Sequence, residues 1–289
     1  MNYLLHILIM ICIYVILTLS LNLVVGYAGL LSLCHAAFYG IGAYTTTLLM
    51  VKAGINFFPA VIGGIIFAII VSLIVSVPSF RLKGDYFVLA GLGFQIIIFS
   101  ILYNWVGLTR GPYGIPGIPR PNILGFEFDS IPVFFVLSLV LALLVTFLTK
   151  TLYDSPFGLV LKSIREDEIV ALSLGRDINY FKTSAFAISA GIAAIAGSLY
   201  ATYVTYIDPT SFTIDESIFI ITIVLVGGSG NLKGPIIGTV FMIILPELLR
   251  FLGIPDTIAP NVRQMIYGVV LIFLMRKRPQ GIAGEYGME

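Results

Sequence analysis

Charged residues are scarce in this sequence of 289 amino acids. Only 11% of the positions are Asp, Glu, Lys or Arg, whereas soluble domains carry about 25%. Sixteen basic and 15 acidic residues leave a formal net charge of +1. This balance supplies no basic field that would attract nucleic acid and no acidic field for cationic ligands. We therefore expect no nucleic-acid partner.

Cysteine and histidine are scarcer still, with two residues of each. Cys12 and Cys34 fall in apolar runs and lack the spacing of metal ligands, so both are predicted to be small buried side chains. The sequence has no G-x-x-x-x-G-K-[ST] phosphate loop, because Lys233 in the glycine-rich run is followed by glycine. No Ser/His/Asp set or metal-spaced histidines occur either. We expect neither an enzyme nor a metal or cofactor site in this chain.

Apolar residues, by contrast, occupy 58% of the positions, and the mean hydropathy is +1.04. Several runs have no polar face, which indicates that lipid surrounds them. A membrane-spanning helix needs roughly 20 mostly apolar residues. The clear runs of this kind are Tyr3 to Val25, Phe57 to Phe80, Tyr86 to Trp105, Ile131 to Thr149, Ser184 to Tyr206 and Pro235 to Leu252.

Three further runs are less regular. Ser217 to Gly227 and Asn261 to Met275 are short, while Ala28 to Met50 is long enough to span but contains Ser32, His35 and several glycines. The last of these is predicted to be broken or re-entrant. The sequence therefore predicts an all-α membrane protein. It is a polytopic helical bundle of roughly eight to ten transmembrane segments, one or more of them broken or re-entrant, that forms one domain over residues 1–289.

Basic residues collect on alternate connections between the predicted helices. Lys and Arg are enriched in cytoplasmic loops, so with about nine alternating spans we expect the C-terminus to be cytoplasmic. The side of the N-terminus stays open, because one re-entrant segment would reverse it without moving any charge. The basic residues on the predicted cytoplasmic side are Arg81, Lys83, Lys150, Lys162, Arg165, Arg176, Lys182, Lys233, Arg276, Lys277 and Arg278.

Two polar segments lie between predicted spans. Residues 106–130 are rich in glycine and proline, which predicts neither regular helix nor strand. On the expected orientation this loop is extracytoplasmic and is either a surface for a substrate-delivering partner or a rigid connector. Residues 150–182 should be cytoplasmic. Within them Ser155 is a predicted N-cap, Pro156 starts an amphipathic helix, Gly175 ends it in a left-handed turn, and Asp177 caps the next helix. Its mixed charge favours a protein partner over a lipid surface.

Six stretches of the sequence resemble the LivM branch of the branched-chain amino-acid permeases, which are membrane subunits of ATP-binding-cassette importers. They occur in the family order and together touch most of the chain. They are L-N-L-V-V-G-Y-A-G-L-L-S-L-C-H-A-A-F-Y-G-I-G-A-Y (Leu21 to Tyr44), K-G-D-Y-F-V-L-A-G-L-G-F-Q (Lys83 to Gln95), L-T-R-G-P-Y-G-I-P-G-I-P (Leu108 to Pro119), S-I-R-E-D-E-I-V-A-L-S-L-G (Ser163 to Gly175), A-G-S-L-Y-A (Ala196 to Ala201) and V-G-G-S-G-N-L-K-G-P-I-I-G (Val226 to Gly238).

The resemblance implies a location in a prokaryotic cytoplasmic membrane and four kinds of partner. These are membrane lipid, a second homologous permease, two cytoplasmic ATPase subunits that bind ATP and Mg, and an extracytoplasmic substrate-binding protein. It also makes residues 150–182 a coupling segment that docks on the ATPases, in which Ala171 and Gly175 match the family's A-x-x-x-G spacing. The motif's usual acid would align with Ile169, and Glu168 lies one position earlier. The coupling residues so implied are Phe157, Leu161, Ile164, Arg165, Glu166, Asp167, Glu168, Ala171 and Gly175.

Glycine-interrupted helices at corresponding places in two halves of a chain indicate a transport site. V-G-Y-A-G-L-L (Val25 to Leu31) aligns with V-G-G-S-G-N-L (Val226 to Leu232) at an offset of 201 residues. Polar groups at membrane depth must face protein or a water-lined cavity, so they either line the substrate path or join helices by hydrogen bonds. The predicted path residues are Asn22, Ser32, His35, Gln95, Gly227, Gly228 and Ser229.

The expected function is translocation of leucine, isoleucine and valine across the membrane by alternating access. Two alternatives stay open at this stage, and a third, a membrane enzyme, would require clustered polar or metal-binding residues at one interface, of which the sequence shows none. One is an importer of the same family for another small solute, such as urea or a short amide. The other is an ion-coupled secondary transporter, which would require an acidic residue within a span, and the nearest acid to mid-depth is Glu247.

Overall fold

The computed structural model describes residues 2–80, 84–123, 126–127, 130–250, 259–277 and 280–284. Helices dominate this part of the chain. In chain order they are α1 (Asn2–Asn22), α2 (His35–Ala53), α3 (Phe57–Ser79), α4 (Asp85–Asn104), α5 (Val106–Thr109), α6 (Ile131–Asp154), α7 (Pro156–Glu166), α8 (Glu168–Ser173), α9 (Ile178–Val204), α10 (Ile214–Gly227), α11 (Lys233–Arg250) and α12 (Ala259–Lys277).

Nine of these described helices have at least 14 residues, and five stretches are long and apolar enough to cross a membrane. The five are Tyr3–Tyr27, Phe57–Ser79, Tyr86–Asn104, Ile131–Asp154 and Ile178–Val204. The strands of the described residues have only two residues each. The prediction of an all-α membrane protein is confirmed. Some of the predictions fall outside the described residues. These are the last two residues of the run Pro235 to Leu252, and the basic residues Arg81, Lys83 and Arg278 that were assigned to the cytoplasmic side.

Helix α9 forms the centre of the bundle and packs against α1, α2 and α3. Small residues allow a close approach: a β-carbon at Gly42 of α2 would lie 2.7 Å from the Cβ of Ala194, and one at Gly197 would lie 2.7 Å from the backbone nitrogen of Ala43. Such interfaces stabilise membrane bundles, because close backbones increase van der Waals contact where no hydrophobic force drives helices together. Cys12 and Cys34 are buried free thiols, as predicted.

The run Ala28 to Met50, which the sequence predicted to be broken or re-entrant, is broken in the structure. Helix α1 continues into a π-helical turn (Leu23–Tyr27), residues 28–34 are not helical, and α2 begins at His35. The run Ala28 to Met50 is therefore not one helix. A second interruption lies between α10 and α11, where Gly228 and Gly230 adopt φ angles of 100° and 91° that side chains with a Cβ rarely tolerate. Both glycine-rich segments identified in the sequence thus interrupt a pair of long helices.

The prediction that residues 106–130 contain neither helix nor strand is wrong in part. They include α5, a 3₁₀ turn (Gly111–Tyr113) and the strands β1 (Ile115–Pro116), β2 (Asn122–Ile123) and β3 (Phe126–Glu127). Strand β1 pairs antiparallel with β4 (Tyr206–Ile207), and β2 pairs with β3. Pro116 fits here because a two-residue edge strand does not require every N–H. Residues 124–125 and 128–129 lie outside the described residues.

The coupling segment contains two short helices where the sequence predicted one. As predicted, the side chain of Ser155 caps α7 by accepting a hydrogen bond from the Gly158 nitrogen, and Asp177 caps α9. The difference arises at Asp167, whose backbone is extended (φ −156°) and whose carboxylate accepts hydrogen bonds from Ile169 and Val170. A new N-cap in mid-helix ends α7 and starts α8.

Candidate functional site

Asn22 joins the two interrupted helix pairs. Its buried side-chain amide donates to the Asn231 carbonyl oxygen at 2.8 Å and to the Tyr153 hydroxyl at 3.3 Å. Its carbonyl oxygen accepts from the Gly230 nitrogen at 3.2 Å. A β-carbon at Gly26 would lie 2.6 Å from that same nitrogen, so the two backbones are in direct contact. The segments Val25 to Leu31 and Val226 to Leu232, aligned by sequence alone, therefore meet in space; we call this contact the glycine junction.

The end of the described chain packs on the same junction. The Ile282 and Ala283 nitrogens donate to the Val226 and Gly227 carbonyl oxygens, each at 2.9 Å. These carbonyls belong to the last turn of α10, where a helix leaves its acceptors without partners. A β-carbon at Gly228 would lie 2.6 Å from the Gln280 carbonyl oxygen. Residues 280–284 thus complete the C-terminal end of α10 from outside the helix.

The predicted path residues outside the junction all make hydrogen bonds within the bundle. His35 Nε2 lies 2.9 Å from the Ser189 hydroxyl, and Ser32 Oγ lies 3.1 Å from Cys34 Sγ. Gln95 donates to the Phe212 carbonyl oxygen at 2.7 Å. The bonds of His35 and Gln95 match the helix-joining alternative, whereas the contact of Ser32 is local. The path assignment of all three residues stays a prediction.

The remaining predicted path residues, Gly227, Gly228 and Ser229, are buried in the glycine junction. A β-carbon at Gly227 would lie 2.7 Å from the Gly234 carbonyl carbon, at the start of α11. The close packing alone accounts for glycine at these positions, whether or not they line a substrate path. Their contact with substrate stays a prediction.

We predict that replacing Asn22 with leucine destabilises the protein by a few kcal/mol. The substitution leaves the buried Gly230 N–H and the part-buried Asn231 carbonyl without that partner, and an unsatisfied buried group costs about 1–3 kcal/mol. The measurement is the melting temperature of the purified protein in detergent. Asn104→Leu is the control, because Asn104 is exposed and bonds only within its own helix, to the Ser100 carbonyl oxygen. Equal melting temperatures for the two variants would contradict the role of Asn22.

The coupling residues predicted from the sequence divide into a buried and an exposed set. Leu161, Ile164 and Ala171 are fully or almost fully buried, Phe157 and Arg165 are half-buried, and the others are exposed. Gly175 has φ +74°, which confirms the left-handed turn. Glu168 forms an ion pair with Lys182 of α9. The exposed coupling residues are Glu166, Asp167, Glu168 and Gly175.

Helix α7 contacts the glycine junction directly. Arg165 Nη1 donates to the Gly26 carbonyl oxygen, and Lys162 Nζ lies 5.1 Å above the centre of the Tyr27 ring. Leu161 packs into a small apolar cluster with Leu23 and Tyr27 of the π-helical turn. A displacement of α7 would therefore act on the backbone where α1 is interrupted.

A cavity of about 370 Å³ lies among α1, α2, α9, α10 and α12. Its polar centre is Glu216, half-buried in the first turn of α10, which accepts a hydrogen bond of 2.7 Å from the Tyr14 hydroxyl. Tyr14 precedes Gly26 by 12 residues, about 18 Å along a helix that rises 1.5 Å per residue. The cavity, called the tyrosine cavity below, is lined by Met10, Tyr14, Tyr39, Tyr200, Thr210, Ser211, Thr213, Asp215, Glu216, Phe219, Gln264 and Tyr267.

No pattern in the sequence predicted this cavity. Glu216 lies directly before the apolar run that starts at Ser217 and is not among the predicted site residues. Tyr14 and Tyr39 belong to the consecutive helices α1 and α2, whereas Tyr200 belongs to α9, and their convergence depends on packing. In the described residues, no group of three His, Cys, Asp or Glu side chains is placed to hold a metal ion.

Comparison with known proteins identifies the family. The family model described as branched-chain amino acid transport system, permease component, matches residues 3–275. The high-affinity branched-chain amino acid transport system permease protein LivM of Escherichia coli strain K12 is 33% identical over 93% of this chain and 67% of its own length. No solved structure matches the chain.

Two archaeal proteins are also similar. The probable branched-chain amino acid transport permease protein LivM of Methanocaldococcus jannaschii is 32% identical over 94% of this chain and 90% of its own length. The corresponding LivH protein is 26% identical over 64% of this chain. These relatives are transport permease proteins, and this chain is likewise a multi-pass membrane permease and not an enzyme. The extent of the match shows that the chain belongs to the family of branched-chain amino acid transport system permease components.

Proposed function

We propose that this permease is a membrane subunit of an ATP-driven importer that translocates leucine, isoleucine and valine by alternating access. In this proposal it pairs with a second, homologous permease, as the separate LivM and LivH relatives suggest. Two cytoplasmic ATPase subunits bind ATP and Mg, and an extracytoplasmic protein delivers the substrate. This chain itself binds no nucleotide in this proposal, because its sequence has no phosphate-binding loop.

An exposed apolar surface on α8 supports docking of an ATPase. Three large apolar residues of α8 and one at its C-cap have exposed fractions of 54–77%, and they follow directly on the acidic run Glu166, Asp167 and Glu168. A helix that lay on lipid would have a polar face dominated by Lys and Arg, so this charge pattern favours a protein. The residues of this docking patch are Ile169, Val170, Leu172 and Leu174.

One contact carries the proposal most directly, namely the hydrogen bond from Arg165 to the Gly26 carbonyl. It connects the segment that bears the docking patch to the interruption of α1. The middle of α1 and the N-terminal part of α10 border the tyrosine cavity. A rigid movement of α7 can thereby change the packing of the interrupted helices and the side to which the cavity opens.

The proposed orientation puts the coupling segment and the C-terminus in the cytoplasm. Helix α7 contacts the glycine junction through Gly26, and residues 282–283 contact it through α10. They therefore lie at the same end of the bundle. Arg276 and Lys277 at the end of α12 add positive charge at that end, as cytoplasmic segments prefer. Labelling of a cysteine introduced at Arg176 only from the outside of intact cells would contradict this orientation.

Reconstitution tests the function. Proteoliposomes that contain this permease, the second permease and the ATPases should take up leucine only with ATP on the ATPase side and with the binding protein on the other. Omission of the ATPases should abolish uptake. Uptake driven by a proton or sodium gradient without ATP would instead establish the ion-coupled alternative. Uptake of urea in preference to leucine would establish the small-solute alternative.

We predict that Arg165→Leu reduces ATP-driven uptake at least about 10-fold and leaves ATPase binding unchanged. The substitution keeps an apolar stem beside Gly29 but removes the donor to Gly26, a charged hydrogen bond of about 1.5–3 kcal/mol. The measurement compares leucine uptake with ATP hydrolysis in the same proteoliposomes. Arg176→Leu removes the same charge from an exposed position of the segment and is the control. Uptake at the wild-type rate in Arg165→Leu would exclude this coupling contact.

A further inference from the structure

The tyrosine cavity contains a carboxylate with unused hydrogen-bonding capacity. A carboxylate has about four lone-pair sites, and Glu216 accepts one described hydrogen bond, from Tyr14. The described residues form one side-chain ion pair with a distance of 4.0 Å or less, between Lys182 and Glu168. No described lysine or arginine therefore forms an ion pair with Glu216. Burial removes part of the water that would stabilise the charge of the carboxylate, and a neutral neighbour does not compensate for that loss. A positively charged ligand would compensate for it, so the site favours such a ligand.

A second group on the cavity wall lacks a partner. Tyr39 is only 1% exposed, and among the described atoms its hydroxyl makes no hydrogen bond. An unsatisfied buried hydroxyl costs free energy, and a bound molecule is one means of satisfying it. Tyr39 lines the same cavity as Glu216, so both residues border the space that a ligand would occupy.

Aromatic rings form much of the remaining wall. The Tyr39 and Tyr200 rings lie 5.5 Å apart between centres, and the Phe219 and Tyr267 rings lie 4.9 Å apart. Aromatic faces attract ammonium groups and also cover aliphatic carbon. The volume of about 370 Å³ is near the lower end of the range for small-molecule sites, about 300–1,000 Å³.

We propose that the tyrosine cavity is a binding site for the transported amino acid, with Glu216 as the counter-ion of its α-ammonium group. The Tyr39 hydroxyl donates a hydrogen bond to the amino acid's carboxylate, and the aromatic wall encloses the aliphatic side chain. The site selects zwitterions over neutral amides, because urea offers Glu216 no charge. This inference rests on the proposed function for the identity of the transported solute.

Binding to the full-length protein, purified with its associated subunits in detergent and without ATP, tests the site. The probes are leucine, 3-methylbutylamine, which keeps the ammonium but lacks the carboxylate, and 4-methylpentanoate, which lacks the ammonium. Glu216→Gln keeps the shape and the acceptor for Tyr14, and it should weaken binding of leucine and of the amine at least about 10-fold. Tyr39→Phe should weaken binding of leucine but leave that of the amine unchanged.

Glu247→Gln is the matched control, because Glu247 accepts a hydrogen bond from Tyr3 and does not line the cavity. It should bind leucine as the wild type does. Equal leucine affinity in Glu216→Gln and wild type would overturn the proposal. If Glu216→Gln does not fold, the wild-type protein still decides: 4-methylpentanoate binding as tightly as leucine would overturn the role of a counter-ion.

The same experiment separates this inference from the proposed function. Leucine binding that depends on Glu216 in a protein without ATP-driven uptake would support the site and contradict the importer. ATP-driven leucine uptake with wild-type binding and transport in Glu216→Gln would support the importer and overturn the site. Binding of urea without binding of leucine would overturn the site as proposed.

Discussion

Simultaneous replacement of Ile169 and Leu174 with aspartate is expected to abolish ATP-driven uptake, with at least about 100-fold weaker binding of the ATPase subunits. The two side chains are 77% and 71% exposed, and burial of each against a partner is worth about 1.5–3 kcal/mol. Their loss together therefore exceeds the roughly 2.8 kcal/mol that corresponds to 100-fold in affinity. The measurement is the amount of ATPase that co-purifies with the permease, together with leucine uptake.

The exposure of the docking patch makes this test specific. Neither position contributes to the core, so the melting temperature of the isolated permease should stay at the wild-type value. Ile169→Leu combined with Leu174→Met is the control, because it retains the apolar surface at both positions. Wild-type recovery of ATPase with the aspartate variant would place the docking surface elsewhere.

The substitution Gly42→Val is expected to prevent folding of most of the protein. A β-carbon at position 42 would lie 2.7 Å from the Ala194 side chain and closer still to the Ala194 backbone, so α2 and α9 must separate. Overpacking of a core typically costs about 1–3 kcal/mol and occasionally more, and here the obstacle is the backbone of the central helix. The measurement is the yield of monodisperse protein in mild detergent and its melting temperature.

Gly93→Val supplies a control with the same change of residue type. Gly93 also lies within a long helix, α4, but a β-carbon there would meet no described atom within 4 Å apart from its chain neighbours and the adjacent backbone of its own helix. The helix propensity cost of valine is shared by both variants. A yield of Gly42→Val equal to that of Gly93→Val would show that the helices can move apart without penalty.

Local features of the coupling segment followed from the sequence, and one did not. Ser155, Pro156, Gly175 and Asp177 act where their side chains or backbone freedom predict, because caps and left-handed turns depend on a few neighbouring atoms. The break at Asp167 was missed. Its carboxylate can either face solvent or cap a new helix, and the choice depends on how Ile164 and Ala171 pack together with Ile178.

The glycine junction shows what an internal alignment can contribute. The offset between Val25 to Leu31 and Val226 to Leu232 identified two helix interruptions correctly, since glycine-rich polar stretches cannot continue an apolar helix. It could not indicate that Asn22 bonds to Gly230 and Asn231. That contact requires α1 to lie beside α10 and α11, which no local pattern specifies.

The sequence by itself determined that lipid surrounds this protein, that its fold is helical, and which family it belongs to. In lipid, every backbone N–H and C=O group must form a hydrogen bond within the protein. Long apolar runs without charge are therefore expected to form helices, which satisfy these groups within one segment. Only the tertiary structure decided which polar groups meet. Glu216 and Tyr39 lie on helices separated by most of the chain, and they come together because small residues let α2 and α9 pack closely beside α1 and α10.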